Sequence, residues 1–516
     1  MRLKLAALLL LIPAAVSAQG FLSGSLESNS ILDDGTVSAY GGFHSNNYLK
    51  LDYSNGRFSA GLQAEWYPSP LPGYDLALQG FGLPRKFISW RGNGWDLTAG
   101  DFYGQMGSGI VFRSWEDRDL GIANSLGGIR LGCRLADDAV SLTLLSGVPR
   151  QALSYAPSLV SGADVETDVF RLLGLQGEHF LNVGGSLVNR YERTPDGDLA
   201  ILLGSDAPKS VTLFSARANY AWRGITLNAE YVGKGADFTA VHQAKSSDTY
   251  ATLGGRAFLA DASFASPGFF AGVTYRYLYN MGFQAVRTGG TPLLSNTLNY
   301  LPALCQQQTY MLAGLNPYET YAEGESGLRG DIDWKVLGMN LHVSWSWIEG
   351  LGKVLPLRDE NYLAYRDLNV SVEKRWSRKL RTTAFVSIQE NSPTHGNRKA
   401  TNAQNVFVLD GLYRFSRKTS LRAEVEYLFS HELTRDWMAA MVEMGFAPHW
   451  SISVRDMYNH GSTLTHYPSV TASYTFDSFK AVLAYGRTRE GMVCSGGVCR
   501  YQPEFKGASL RLQWAF

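Results

Sequence analysis

The chain has 516 residues, 47 of them basic and 46 acidic, so its formal net charge is only +1. A nucleic-acid-binding protein would carry a basic surplus, and this balance argues against one. Hydrophobic residues make up 45% and the mean hydropathy is −0.13, which on averages alone describes a soluble chain. A membrane barrel gives the same averages, because every second residue of its strands faces a polar lumen.

The amino-terminal segment, residues 1–18, has the pattern of a cleaved signal peptide. Arg2 and Lys4 supply positive charge, an apolar stretch follows, and Val16–Ala18 ends in the small-x-small pattern of a cleavage site. No later apolar run reaches the roughly 18 residues of a membrane helix. We therefore expect an exported chain that starts near Gln19. It would either be soluble or cross a membrane as a closed barrel.

Strand pairs joined by short turns recur through the first half of the chain. Apolar and polar residues alternate over 58–66, and 84–102 turns at Gly92–Gly94, which is a strong hairpin signal. Alternation with period two is typical of strands that are apolar on one face. Further predicted pairs are 127–146, 167–190, 209–234 and 248–279.

Charged residues occupy one face of the long alternating segments in the second half. A water-filled lumen tolerates such charges, whereas a soluble sandwich would bury them at a cost of several kcal/mol each. A packed network of the same ion pairs could equally close the lumen. The alternation predicts the following lumen-lining residues: Arg381, Arg422, Glu424, Glu426 and Arg511.

The carboxyl-terminal stretch, residues 504–516, alternates in the same way and ends on Phe516. This pattern is typical of the closing strand of an outer-membrane barrel, with one face to lipid and one to the lumen. Short and long connections also alternate along the chain. The sequence therefore predicts an all-β fold: a transmembrane, antiparallel, up-and-down β-barrel of about 24 strands, within a range of 18–26. Residues 19–516 would form this single barrel, with a first strand from Phe21 and no separate plug domain.

Two long connections, near 103–126 and 280–319, interrupt the hairpin pattern. Long loops in compact proteins are usually functional or disordered. The first contains the densest mixed-charge cluster of the chain: Arg113, Glu116, Asp117, Arg118 and Asp119. The cluster could be a solvated outer loop with ion pairs worth under about 1 kcal/mol each. Alternatively, it could fold inward and form a pore constriction.

Four cysteines are present. Cys494 and Cys499 flank a Gly pair in a loop between two strands, and an exported chain meets an oxidising compartment, so we predict a local disulfide between them. We expect Cys133, in a strand, and Cys305, in a long loop, to be unpaired.

Several short motifs stand out along the chain: Gly20–Asn29, Gly100–Gly104, Gly107–Gly109, Arg113–Gly121, Asn189–Glu192 and Glu230–Lys234. Together they resemble those of an uncharacterised family of Bacteroidota outer-membrane barrels. The resemblance implies an outer-membrane location in a Gram-negative cell of that group. The family has no established activity, so no functional residue carries over.

Local catalytic and cofactor motifs are missing. His431-Glu432 has no His at 435, and the chain contains neither Gly-x-Ser-x-Gly nor a phosphate-binding loop. We therefore predict no cofactor, no metal site and no enzyme, although an outer-membrane hydrolase needs no local motif. We interpret the later histidines as lumen or rim residues and not as metal ligands: His342, His431, His449, His460 and His466.

The sequence favours a channel for small polar solutes, with selectivity set by its loops. The alternative is a structural or assembly barrel that docks a lipoprotein, a secretion component or another outer-membrane component. Both interpretations place the protein among membrane lipids.

Overall fold

The computed structural model describes residues 20–192, 208–243, 246–287, 294–352, 360–393 and 401–516. Residues 1–18 lie outside these ranges, so the signal peptide remains a prediction.

The chain folds into one closed antiparallel sheet. The sheet contains 26 strands, of which Ser154–Tyr155 and Thr465–His466 are two-residue segments beside longer neighbours, and the other 24 form the wall. The first twelve are β1 Phe21–Asp33, β2 Gly42–Asn55, β3 Phe58–Tyr67, β4 Gly80–Arg91, β5 Trp95–Phe102, β6 Leu126–Leu135, β7 Val140–Gln151, β8 Ser158–Asp168, β9 His179–Glu192, β10 Ser210–Trp222, β11 Ile225–Gln243 and β12 Ser246–Ser266. The others are β13 Phe269–Tyr279, β14 Gly324–Val336, β15 Met339–Gly350, β16 Tyr362–Arg375, β17 Leu380–Asn391, β18 Asn402–Arg414, β19 Thr419–Phe429, β20 Trp437–Phe446, β21 Trp450–Asn459, β22 Ser469–Phe476, β23 Phe479–Thr488 and β24 Phe505–Ala515.

The barrel closes by pairing its first strand with its last. Each strand is antiparallel to its sequence neighbours, and β1 pairs with β24 from Ser25–Ala515 to Asp33–Gly507. Closure leaves no free sheet edge, so every wall strand has a hydrogen-bonded neighbour on both sides. The predicted all-β barrel, its up-and-down order and its strand number are confirmed.

Alternation along the strands separates a lipid-facing surface from the lumen. In β10, Phe214 points outward with 49% of its surface exposed, while Leu213 and Ser215 on either side are buried inside the barrel. Exposed tryptophans gather at the strand ends beside the short turns. Such aromatic girdles mark the boundary between the hydrocarbon core and water. The girdle comprises Trp90, Trp95, Trp334, Trp376, Trp450 and Trp514.

The two ends of the barrel differ in the length of their connections. At the short-turn end, most neighbouring strands are joined by two to four residues, as between β2 and β3 or β22 and β23. The long-loop end carries the other connections, including loop A, residues 103–125, and loop B, residues 280–323. Loop B is described over 280–287 and 294–323.

Within the described residues, helices are few and short. These residues include 3-10 turns at Leu76–Leu78 and Leu294–Asn296, and one helical turn, α1, at Val169–Leu172. Among the described residues, no helix is long and apolar enough to cross a membrane.

Candidate functional site

Loop A turns into the lumen immediately after β5. It forms a small hairpin from strands Gly104–Met106 and Phe112–Ser114, with a left-handed turn at Gly107, where φ is +56°. The turn is fixed to the wall, because the backbone N–H of Ser108 donates to Oε2 of Glu230 at 2.9 Å. Ile110 and Phe112 are fully buried. This small hairpin, residues 104–114, is therefore the apolar root of loop A inside the barrel.

The wall facing this root is apolar as well, although it points into the lumen. Its inward side chains form one hydrophobic cluster with loops A and B, which has the character of a protein core. Exposure of these apolar side chains to water would be unfavourable, so loops that cover this part of the wall are stabilised there. The inward wall residues of the cluster include Leu145, Val160, Val188, Val211, Leu213, Val232, Ala257 and Leu278.

Loop B joins loop A to make a single plug. The N–H of Arg113 donates to the carbonyl oxygen of Leu298 at 2.8 Å, and the N–H of Tyr300 donates to that of Gly109 at 2.9 Å. Nδ2 of Asn299 also donates to the carbonyl oxygen of Ile110 at 3.2 Å. Backbone groups of the two loops thus satisfy each other away from water.

A second part of loop B packs on the opposite wall. Leu312 and Ala313 belong to a cluster with inward residues of β17, β18, β19 and β20. Glu426, one of the predicted lining residues, accepts the N–H of Met311 at 3.0 Å and that of Leu312 at 2.8 Å. Glu426 is 4% exposed, so it holds the plug instead of facing water.

The charged hairpin, residues 115–123, is the part of loop A that carries most of the mixed-charge cluster. Its strands are Glu116–Asp117 and Ile122–Ala123, and it lies inside the barrel against β1, β2 and β3. Nη1 of Arg118 bonds Oε2 of Glu27 on β1 at 2.8 Å, and the guanidinium carbon lies 4.3 Å from the centroid of the Tyr48 ring. The cluster thus contacts the inner wall, and its role as a pore constriction stays a prediction.

The other charges of the hairpin have distinct partners. Oε1 of Glu116 accepts from Nε2 of Gln63 and from Nε of Arg118, each at 2.9 Å. Asp117 caps the hairpin turn by accepting the N–H of Leu120 at 3.1 Å. Asp119 pairs with Arg511 of β24.

Arg113 sits apart from the hairpin. Its guanidinium lies between two rings, 4.9 Å from the centroid of Trp115 and 4.3 Å from that of Tyr300. Such cation–π contacts stabilise a partly desolvated cation. Arg113 therefore links loops A and B through aromatic rings of both.

Two buried ionic groups beside the plug were not singled out from the sequence. Arg150 makes two hydrogen bonds to Glu65, at 2.9 and 2.5 Å, and Tyr67 donates to the same carboxylate at 2.7 Å. Arg276 is ion-paired with Glu325 through Nη2 alone, and the same nitrogen donates to Oη of Tyr318 at 3.0 Å. The sequence does show a charged residue at an inward position near the end of each of these strands. It does not show that the charge is shielded from water.

The lumen toward the short-turn end is different, because solvent reaches its ion pairs. Arg381 lies 3.5 Å from Glu373, with 43% and 35% of the two side chains exposed. Nη2 of Arg422 bonds Asp410 at 3.0 Å and Glu424 at 2.7 Å. Arg381 thus faces one carboxylate along the wall, whereas Arg422 lies between two.

The outer hairpin, residues 489–504, folds over the plug from the long-loop end. A disulfide joins Cys494 to Cys499, and Gly496 and Gly497 both have positive φ, at +59° and +87°, as a tight two-residue turn requires. The carbonyl oxygen of Gly496 accepts from Oη of Tyr300 at 2.9 Å, and that of Gly497 accepts the N–H of Thr320 at 3.1 Å. The hairpin is thus attached to loop B.

The two remaining cysteines are free thiols. Cys305 lies in loop B, where burial raises the pKa of its thiol to about 12. A thiol with so high a pKa carries almost no thiolate near neutral pH and reacts slowly. Cys305 is therefore protected as long as the plug is in place.

The histidines that the structure describes do not form a cluster of metal ligands. His342 lies 2.7 Å from Asp333, and His466 lies 2.6 Å from Asp456. Over the described ranges, three or more His, Cys, Asp or Glu side chains are nowhere arranged to hold a metal ion.

A family model covers the whole chain, residues 1–516. The protein belongs to the family of unknown function DUF6029. A comparison with the curated proteins finds no match.

Solved structures of outer-membrane barrels are similar to this chain at the level of the fold alone. The translocation pore of the P pilus usher PapC has a TM-score of 0.47 and 11% identity, over 96% of this chain and 99% of that one. The copper transporter OprC has a TM-score of 0.41 and 10% identity, over 96% and 82%. The siderophore receptor PirA from Pseudomonas aeruginosa has a TM-score of 0.41 and 9% identity, over 97% and 81%.

Proposed function

We propose that the protein is an outer-membrane channel for small polar solutes, which its own loops A and B close from inside at rest. The lipid-facing surface and its tryptophan girdle support the location. A barrel of 24 strands is wide enough to enclose water unless something fills it. Here the filling is a plug built from two loops of the wall.

The observation that carries the proposal is that the plug has two kinds of attachment. Its apolar root is packed like a core, as Ile110 and Phe112 show. The charged hairpin, in contrast, lies outside this cluster: it buries Leu120 and Ile122 and is otherwise held by ion pairs that keep some solvent contact, with 19% of the Arg118 side chain and 16% of the Glu27 side chain exposed. A pair with some solvent contact contributes on the order of 1 kcal/mol, less than the packing of a core. The hairpin can therefore detach while the root stays packed.

Release of the charged hairpin would open a path along β24, β1, β2 and β3. Charges of both signs would line this path, since Glu116, Arg118 and Asp119 come from the hairpin while Glu27 and Arg511 come from the wall. Such a lining favours hydrated polar solutes over apolar ones. The charged hairpin is then the selectivity element of the channel.

Single-channel recording in planar bilayers tests the proposal. The wild-type chain would be compared with a variant lacking residues 105–122, which leaves five residues to join β5 and β6, whose ends pair at Phe102 and Leu126. We expect brief openings for the wild type and a larger, sustained conductance for the deletion, because the charged hairpin and part of the root are gone.

A deletion of residues 36–39 is the matched control. It shortens the exposed connection between β1 and β2, and we expect it to conduct like the wild type. If neither the wild type nor the 105–122 deletion conducts when folded, the channel proposal is wrong.

A second candidate is an assembly barrel that docks a lipoprotein or secretion component through its outer loops. Leucines at three loop tips of the long-loop end favour it: Leu76, Leu433 and Leu464 are 75%, 72% and 66% exposed. Exposed apolar residues on a loop tip can mark an interaction surface. Purification from native membranes in mild detergent would then give a stoichiometric partner that Leu433→Asp with Leu464→Asp removes. Purification without any partner would argue against this candidate.

A further inference from the structure

A side cavity remains between the plug and the wall at β21 to β23. It has a volume of about 200 Å³ and lies beside the second part of loop B. Three arginines and one glutamate contribute to its lining: Arg455, Arg487, Arg489 and Glu490. The plug thus leaves room inside the barrel here, beside a wall where cations outnumber anions.

The charge of two of these arginines is not neutralised by a carboxylate. Arg487 is paired, since its Nε bonds Glu504 at 2.5 Å. Arg489 instead donates to the carbonyl oxygen of Leu315 at 2.9 Å, and Arg455 donates to Oγ of Ser469 at 2.8 Å. Neither Arg455 nor Arg489 has an acidic partner within the described part of the chain.

Arg489 is the more unusual of the two. Burial lowers the pKa of its guanidinium, which means that the charged form lacks full compensation at this site. Its guanidinium carbon lies 5.9 Å from the ring centroid of Trp437, a weak substitute for an anion. Arg489 is half-buried and Arg455 is exposed. A partly desolvated cation that is bonded only to neutral groups would gain free energy from an anion placed beside it.

Part of the cavity lining is apolar. Met311, Leu315, Met457 and Tyr467 contribute to its lining, and Tyr467 stacks on Trp437 with ring centroids 5.9 Å apart. An aromatic and thioether surface of this kind accepts an apolar body of adaptable shape. Cation and apolar surface together define an amphipathic ligand.

We propose that this cavity binds a small organic acid, whose carboxylate contacts Arg455 and Arg489 and whose apolar body lies against Met457 and Tyr467. This inference deepens the proposed channel and rests on it in one respect, namely that the bound acid would be a solute on its way through the barrel. The binding site itself is an equilibrium property that needs no conduction.

Isothermal titration calorimetry of the full folded chain in detergent, with 3-phenylpropionate as the probe, tests the site. Its neutral isostere 3-phenylpropionamide measures the contribution of the apolar body alone. We expect the acid to bind about a hundredfold more tightly than the amide, as two charge-assisted hydrogen bonds, one to each arginine, would give. Arg489→Gln and Arg455→Gln should each weaken binding of the acid by about tenfold and leave binding of the amide unchanged.

Arg130→Gln is the matched control, because Arg130 also faces the lumen but is paired with Asp96 at 2.8 Å on a distant strand. It should bind the acid like the wild type. Equal affinities for acid and amide, no binding to the folded wild type, or unchanged binding in both variants would overturn the site. Binding without conductance would support the binding site and contradict the channel proposal. Conductance without binding would contradict the binding site alone.

Discussion

The two halves of the lumen contain the same kinds of residue in different surroundings. Toward the long-loop end, Arg150 and Glu65 form an ion pair with 2% and 1% of their side chains exposed. Toward the short-turn end, Arg130 and Asp96 form one with 31% and 37% exposed. The plug makes the difference, because it replaces water around the first pair. An inward charge in this barrel is therefore structural or solvated depending on whether a loop covers it.

The largest effect is expected from breaking the buried pair. Arg150→Met leaves Glu65 as an uncompensated buried charge, and we expect the free energy of unfolding to fall by about 3–5 kcal/mol. Urea titration followed by tryptophan fluorescence measures the change. Arg130→Met is the matched variant in the exposed half and should cost under about 1 kcal/mol. Equal losses for both variants would mean that the two halves do not differ as described.

Removal of apolar contacts from the plug root should have the next largest effect. Ile110→Ala deletes buried methyl and methylene groups, at an expected cost of about 2–4 kcal/mol. If the substitution favours local opening of the plug by this amount, Cys305 becomes exposed more often. Its maleimide labelling should then accelerate about a hundredfold. Labelling is measured in a Cys133→Ser background, where Cys305 is the one free thiol. A rate like that of the parent would show that the root does not hold the plug.

The smallest effect concerns the charged hairpin. Arg118→Gln removes the ion pairs with Glu27 and Glu116, which are partly exposed, and we expect a loss of about 1 kcal/mol. The root remains packed, so Cys305 labelling should rise by no more than about fivefold. Single-channel openings, in contrast, should become clearly more frequent. If Arg118→Gln accelerated labelling as much as Ile110→Ala, the hairpin and the root would move as one unit.

The wall could be predicted from the sequence because its determinants are local. Alternation places Phe214 and Leu213 on opposite faces of the strand, and the residues of Gly92–Gly94 themselves predict a turn. The strand order therefore follows without information on distant contacts. The proximity of Cys494 and Cys499 is local for the same reason. Such features need only neighbouring residues.

The plug could not be predicted in the same way, because it depends on contacts between segments far apart in the chain. Tyr300 bonds Gly109, and Glu426 holds Leu312, yet neither pair shares a local pattern. One signal was present in the wall: Val211 and Leu213 are apolar at inward positions, which an open aqueous lumen does not favour. Comparison of the two faces of β10 would have indicated a covering segment.

The charged hairpin contacts both strands of the closing seam, through Glu27 on β1 and Arg511 on β24. Arg511 also bonds Asn29 directly across the seam, at 2.8 Å. The seam is therefore joined twice: by the backbone ladder between the first and last strands, and by a side-chain bridge that runs through Arg118 and Asp119 inside the barrel. A residue of loop A thus contributes to the closure of the cylinder as well as to the filling of its lumen.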